Sequence, residues 1–410
     1  MSTEALLLFM VGITVLAYLF ETALSVLNFR HSQAQPWNQE IFTKEQHEKS
    51  LSYQRERFIV ATAASSFRFV LLLAFLIFGI FGWLDSFLRG YTSNPILLAL
   101  LFLGAYGLLT TVFSLIFNFY ATFSVEERYG FNRTTVGTFI ADAIKNILVT
   151  VVLGGGILAL LVWLHQLLGT NFWIAAWAVI MAVILFIAAF STSVLVPLFN
   201  KLTPLPEGEL RSALLAYCQS QGYEIGRLFV MDGSKRSTKA NAYFAGMGRA
   251  KTIVLFDTLI EKLTIEEVVA VLAHEVGHYK RKHIFSMLYM SLAQTFIIMA
   301  MLGFALNFDA LSIALGGDTA SFHLGAMAFA LLLSPLSMLV SMVSMSYSRR
   351  NEFDADEFST STYAAGQLRS GLAKISTDAL SNLNPHPLYV KVHYSHPPMM
   401  QRLAALDAAN

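Results

Sequence analysis

His274, Glu275 and His278 stand in the run HEVGH, two imidazoles flanking a carboxylate at the spacing metallopeptidases use to hold zinc. Residues four apart share one face of a helix, so both rings can reach one ion. Zinc held this way acidifies a water, and Glu275 beside it is placed to take the proton. Two histidines do not complete a catalytic site, which needs a third protein ligand. The run Asn351-Glu352-Phe353-Asp354-Ala355-Asp356 offers one. Glu352 and Asp356 are four apart, so Glu352 can ligate while Asp356 fixes a ligand histidine through a hydrogen bond. Asp354 and Glu357 compete for the same part, and an acidic face balanced by Arg349 and Arg350 is the plainer reading.

These residues have to be positioned by a chain that is 55% hydrophobic and 13% charged, with mean hydropathy +0.57. A soluble domain is closer to one quarter charged, so the composition describes an all-α polytopic membrane protein. A net charge of +1 excludes nucleic acid as a partner on electrostatic grounds. The single cysteine, Cys218, excludes an intrachain disulfide and a cysteine-cluster zinc site.

Seven apolar blocks are long enough to cross a bilayer, at 5–28, 59–84, 96–118, 144–167, 172–198, 284–306 and 321–346. The first lacks preceding Lys or Arg and reads as a retained span. Arg30, Lys44, Lys49, Arg55 and Arg57 follow span one, and Arg128, Arg133 and Lys145 follow span three. Lys235, Arg236, Lys239, Arg249 and Lys251 lie between spans five and six. The alternate loops hold only Arg89. Excess Lys and Arg marks the cytoplasmic side, which puts the N-terminus outside and the C-terminus in the cytoplasm.

Four regions result: spans one to five with their cytoplasmic loops (1–198), a cytoplasmic segment carrying HEVGH (199–283), spans six and seven (284–346), and a cytoplasmic C-terminal segment with the third-ligand run (347–410). Within 199–283, Glu207–Tyr223 reads as an amphipathic helix, Leu228–Met231 as a strand, and Asn241–Met247 with Thr252–Phe256 as a pair of strands around Gly248. Thr264 and Glu267 form a capping box, after which no breaker interrupts the helix through HEVGH into span six. Lys280, Arg281, Lys282 and His283 fill the approach to the membrane as a snorkelling anchor. Glu21 and Arg68 are costly inside a bilayer and pair with each other or face an aqueous interior. Near the C-terminus, Pro397 and Pro398 hold His396 in a fixed turn and Arg402 follows; taken alone, His396 is a surface histidine.

HEVGH, RRNEFDAD, SKRSTKANAYFAG, HYSHPP with its following arginine, VEERYGFNRTT and VPLFNKLTPLPEGELR together resemble the type I CAAX prenyl proteases, integral-membrane zinc metalloproteases, over nearly the whole chain. The resemblance implies one zinc ion on His274, His278 and Glu352, Glu275 as base, and Asp356 supporting the ligands. It implies that Asn241 and Ala242 lie on an edge strand beside the substrate backbone, and that His396 and Arg402 face the reacting peptide. It further implies seven helices enclosing a chamber whose active site, with a small β-sheet, lies at the cytoplasmic end. Lys239 stands where a small or polar residue is usual, and Ala245 replaces an aromatic. The last residues, Leu406-Asp407-Ala408-Ala409-Asn410, are not an ER-retention signal, and the expected membrane is the bacterial inner membrane.

The expected activity is zinc-dependent hydrolysis of peptide bonds near the C-terminus of CAAX-type, prenylated peptides. Two alternatives stand beside it: a broad quality-control protease for membrane proteins, and a transporter or channel in which the metal site is structural.

Overall fold

The computed structural model describes residues 2–245 and 252–408. Among the described residues, six helical stretches are long and apolar enough to cross a membrane: Thr3–Gln33, Lys44–Ile77, Pro95–Glu126, Val136–Val194, His283–Ala305 and Phe322–Thr362. The fourth runs 59 residues. Straight, it would extend about 88 Å, nearly three times the hydrocarbon core. It turns instead at Gly169–Asn171, where Gly169 takes φ 54, and Gly155–Leu168 packs back against Phe172–Val194. The second apolar block also ends earlier than the expected residue 84. The helix stops at Ile77, Gly79 takes φ 63, and a separate short helix covers Ile80–Arg89. Left-handed backbone at these turns is what glycine tolerates without strain.

Between the helices, Met10, Phe75, Phe81, Phe102, Leu324 and Ala328 form one buried apolar cluster. At its edge Asp85 is fully buried, held by Arg89 Nε at 2.8 Å and His323 Nε2 at 2.7 Å, so a charge away from the HEVGH segment is fully partnered.

The polar segment folds around a four-stranded mixed sheet in the order β1-β2-β4-β3. β1 (Leu202–Pro204) is antiparallel to β2 (Arg227–Met231), β2 is parallel to β4 (Thr252–Phe256), and β3 (Ala242–Ala245) is antiparallel to β4. β3 pairs Ala242 with Leu255 and Ala245 with Thr252. It is the terminal strand of the sheet, which leaves one edge of its backbone unpaired by other strands. The end of the expected strand at Met247, the turn around Gly248, and Arg249 and Lys251 lie outside the described residues. Ile253 and Leu255 of the central strand pack with Leu214, Leu259, Val268, Val269, Leu272 and Val276, joining sheet and helices in one core.

The capping box forms: Thr264 Oγ1 accepts from Glu267 N, and Glu267 Oε2 accepts from Thr264 N at 2.9 Å. The helix it starts, Ile265–Lys280, does not continue into the next span. Arg281 ends it, Lys282 takes φ 59, and a new helix begins at His283. The expectation of an unbroken helix is therefore corrected. The break contains neither Gly nor Pro, and what it gains is tertiary: it folds His283 back into a buried position against the preceding helix.

Glu267 is also buried, receiving Ser370 Oγ at 2.6 Å and Lys374 Nζ at 2.6 Å. Burial raises its pKa, but Lys374, Ser370 and the Thr264 amide outweigh this and hold the carboxyl below its ordinary value. Its stabilising effect is thus complete above the unfolded carboxyl pKa, about 4.3, and is lost as pH falls through the lower folded value. Glu267→Ala is expected to destabilise the polar unit by about 1–3 kcal/mol at pH 7, read by thermal melting in detergent. The difference from wild type should shrink as the carboxyl protonates.

Candidate active site

The HEVGH helix packs lengthwise on the distal part of helix Phe322–Thr362. Gly277 lies in the contact: a Cβ there would stand 3.0 Å from Phe358 Cβ and 3.2 Å from both Cα and O of Ala355. Ser359 Oγ donates to Ala270 O at 2.9 Å, closing the same seam two turns away. With the backbones this close, Glu352 reaches the histidines. His274 Nε2 and His278 Nε2 are 3.2 Å apart, and Glu352 places Oε2 at 3.5 Å from the first and Oε1 at 3.4 Å from the second.

Those separations test whether zinc fits. Bonds of about 2.0–2.1 Å to tetrahedral zinc put neighbouring ligand atoms about 3.3–3.4 Å apart. The two imidazole nitrogens meet that spacing, each also stands at about that distance from one oxygen of the Glu352 carboxylate, and one donor atom from each of the three residues lies within 4.8 Å of the others. Two imidazoles and a carboxylate are also a donor set suited to zinc.

The supporting groups are specific. Asp356 Oδ1 lies 2.8 Å from His274 Nδ1, which holds the proton on Nδ1 and turns the Nε2 lone pair toward the metal position. Arg402 clasps Asp356 from the other side, with Nε and Nη2 at 2.9 and 2.6 Å, and its Nη1 stands 3.5 Å from Glu352 Oε2. His274, Glu352, Asp356 and Arg402 are all buried. Burial opposes protonation of His274, yet Asp356 and Glu352 push its pKa up to about 9. Burial likewise opposes the charge on Arg402, and Asp356 more than compensates. A metal taking His274 therefore displaces a proton from a ring clasped by two carboxylates.

His396 Nδ1 lies 2.8 Å from Glu352 Oε2, while most of its side chain, 63%, is exposed. The exposed histidine expected from sequence thus borders the metal cradle. Glu275, partly buried, sits next to His274 and is close enough to Tyr223 and Arg402 for its charge to act on both. Asn241 is exposed immediately before β3, its carbonyl accepts from Phe256 N, and its Oδ1 accepts from Ala242 N.

The rival acids separate cleanly. Asp354 faces His283, Oδ2 to Nε2 3.7 Å, and Glu357 meets Arg281 at 3.4 Å on the exposed side. Glu352 alone among the three joins the histidine pair. His283 itself was not expected to contribute, and its Nδ1 stands 3.0 Å from His278 Nδ1. On an unbroken helix a residue five positions on points about 140° away, so only the break at Arg281–Lys282 makes this contact. Gly277 carried a fainter signal: a glycine inside a helix costs about 1 kcal/mol, which close packing has to offset. The role of Arg402 as the partner of Asp356 had no sequence signal.

Residues 26–201 match the family described as CAAX prenyl protease N-terminal, five membrane helices, and residues 204–410 match peptidase family M48. The chain is 34% identical to CAAX prenyl protease 1 homolog of Arabidopsis thaliana, over 97% of this chain and 96% of that one. It is also 34% identical to CAAX prenyl protease 1 of Saccharomyces cerevisiae, over 78% and 74% of the two chains. The crystal structure of S. mikatae Ste24p superposes with TM-score 0.92 at 28% identity, covering 98% of this chain and 99% of that one. These relatives are eukaryotic and lend no support to the expected bacterial inner membrane.

Asp356→Ala should lower zinc affinity about 10- to 100-fold by freeing the His274 ring, measured by competition with a chromogenic chelator. His283→Ala, which releases only the partly buried His278, should cost less.

Proposed function

The chain belongs to peptidase family M48, and from that premise we propose that it cuts CAAX-type peptides near their C-terminus, with one zinc on His274, His278 and Glu352. The chain is an integral, multi-pass membrane metalloprotease. The observation that carries the finer reading is the convergence of one donor atom each from His274, His278 and Glu352 within 4.8 Å of one another, bordered by His396 and by Glu275. The relatives' name supports the CAAX substrate.

We read Val136–Val194 as two crossings, which gives seven spans, and assign both polar segments, 199–283 and 347–410, to the cytoplasmic side on the Lys and Arg pattern. The peptide adds as a strand to the open edge beside Asn241 and Ala242, exchanging main-chain hydrogen bonds. Zinc supplies Lewis acidity toward the scissile carbonyl and an acidified water. Glu275 accepts the proton of the attacking water and passes it to the leaving amine. His396, exposed over Glu352, donates to the developing oxyanion. Arg402 acts chiefly by holding Asp356, and its Nη1 adds positive charge beside Glu352.

In proteoliposomes, Glu275→Gln should retain one zinc per chain and lose more than about 10³-fold in cleavage of a CAAX peptide, the loss expected when the proton-transfer group is removed. Retained cleavage in that variant would remove Glu275 from the proton-transfer role, and a zinc-loaded wild type that cuts no peptide would return the site to a structural metal in a transporter. A prenylated peptide cut no faster than its unprenylated twin would favour the quality-control protease.

A further inference from the structure

A cavity of about 870 Å³, lined by polar and apolar groups alike, reaches His396 at the rim of the metal cradle. Its walls are the first two helices and residues of the 376–399 segment, with Lys239 and His396 both on its lining. Four fixed charges face it: Glu21, Arg57, Arg68 and Lys239. Lys239 is matched: its Nζ pairs with Glu126 Oε2 at 2.7 Å and donates to Tyr53 Oη at 2.7 Å, while Glu21 Oε2 lies 3.1 Å from His393 Nε2, an ionic pair only when that ring is protonated. Of the two readings of Glu21 and Arg68, an ion pair does not form and both residues line this cavity. Among the described residues, neither Arg57 nor Arg68 has a carboxylate within ion-pair distance. The cavity thus presents two guanidinium groups without an anion.

The two arginines are eleven positions apart, which puts them on one face of the second helix about 16 Å from each other. They cannot share one small anion. Arg57 is the one at the Tyr394 and Lys239 end of the cavity. It stacks on the Tyr53 ring at 5.6 Å, and its charge acts on Tyr394, two residues from His396, and on Lys239, two residues before Asn241. Arg402, the other candidate for holding a peptide terminus, is taken up by Asp356.

A peptide cut near its end carries a short tail past the scissile bond, each residue adding about 3.3–3.6 Å, and a free carboxylate at its tip. That charge enters a cavity only against a cation. We propose that Arg57 binds the substrate's free C-terminal carboxylate. The proposal rests on the protease reading.

The test uses the full-length protein in nanodiscs and one peptide made as free acid and as C-terminal amide, with cut sites read by mass spectrometry. Wild type should favour the acid by about 10- to 100-fold in kcat/KM, the discrimination expected of one charge-assisted pair, expressed mainly in KM. Arg57→Ala and Arg57→Gln should bring that ratio close to one, and Arg57→Lys should keep part of it. Zinc content and melting temperature matching wild type will show that the variants fold. A ratio that survives in Arg57→Ala and Arg57→Gln, or a wild type indifferent to amidation, overturns the proposal while Glu275-dependent cleavage leaves the protease reading standing. Absence of Glu275-dependent cleavage of either peptide defeats both.

Discussion

The close approach of two helix backbones at Gly277 and Ala355 is the contact on which the site depends. Without it, Glu352 on one helix and His274 with His278 on the other would face each other across a side-chain layer. Helices in ordinary contact lie about 8–10 Å apart, depending on the residues between them. Here the second histidine is preceded by a glycine and the opposing position is a fully buried alanine, so the layer is removed where the metal needs the ligands to converge. The hydrogen bond from Ser359 to Ala270 keeps the two helices in register along the seam.

Closing that seam buries four ionisable side chains together, and the arrangement survives because each has a partner. Asp356 is shared between His274 and Arg402, and Glu352 between the two zinc-site histidines, His396 and the edge of Arg402. Removing one member of such a cluster leaves another charge buried and unmatched, which costs far more than a surface pair. The same cluster gives the site its polarity: the carboxylates point the imidazole lone pairs inward. The outer rim, by contrast, is exposed at His396, where a substrate has to enter.

Much of this was legible in the sequence because it depends on local spacing. HEVGH put two histidines on one helical face, the four-residue step from Glu352 to Asp356 offered two carboxylates on another, and Thr264 with Glu267 marked the helix start. What escaped was set by tertiary contact. The break at Arg281–Lys282 has no glycine or proline to announce it, so His283 looked like part of a charged anchor. The short β1 strand exists only because β2 offers it an edge. The choice among Glu352, Asp354 and Glu357 was open in the sequence because helical spacing cannot say which face meets the histidines; the seam at Gly277 decides it. The resemblance of the wider motifs to CAAX prenyl proteases supplied what spacing left open, and the family matches agree with it.

X-ray absorption at the zinc edge of the purified, zinc-loaded protein tests the central claim most directly. The account predicts one zinc per chain bound by two imidazole nitrogens and a carboxylate oxygen at about 2.0–2.2 Å, with the carboxylate contribution lost in Glu352→Ala. A spectrum that Glu352→Ala leaves unchanged, or one containing a sulfur ligand, would contradict it.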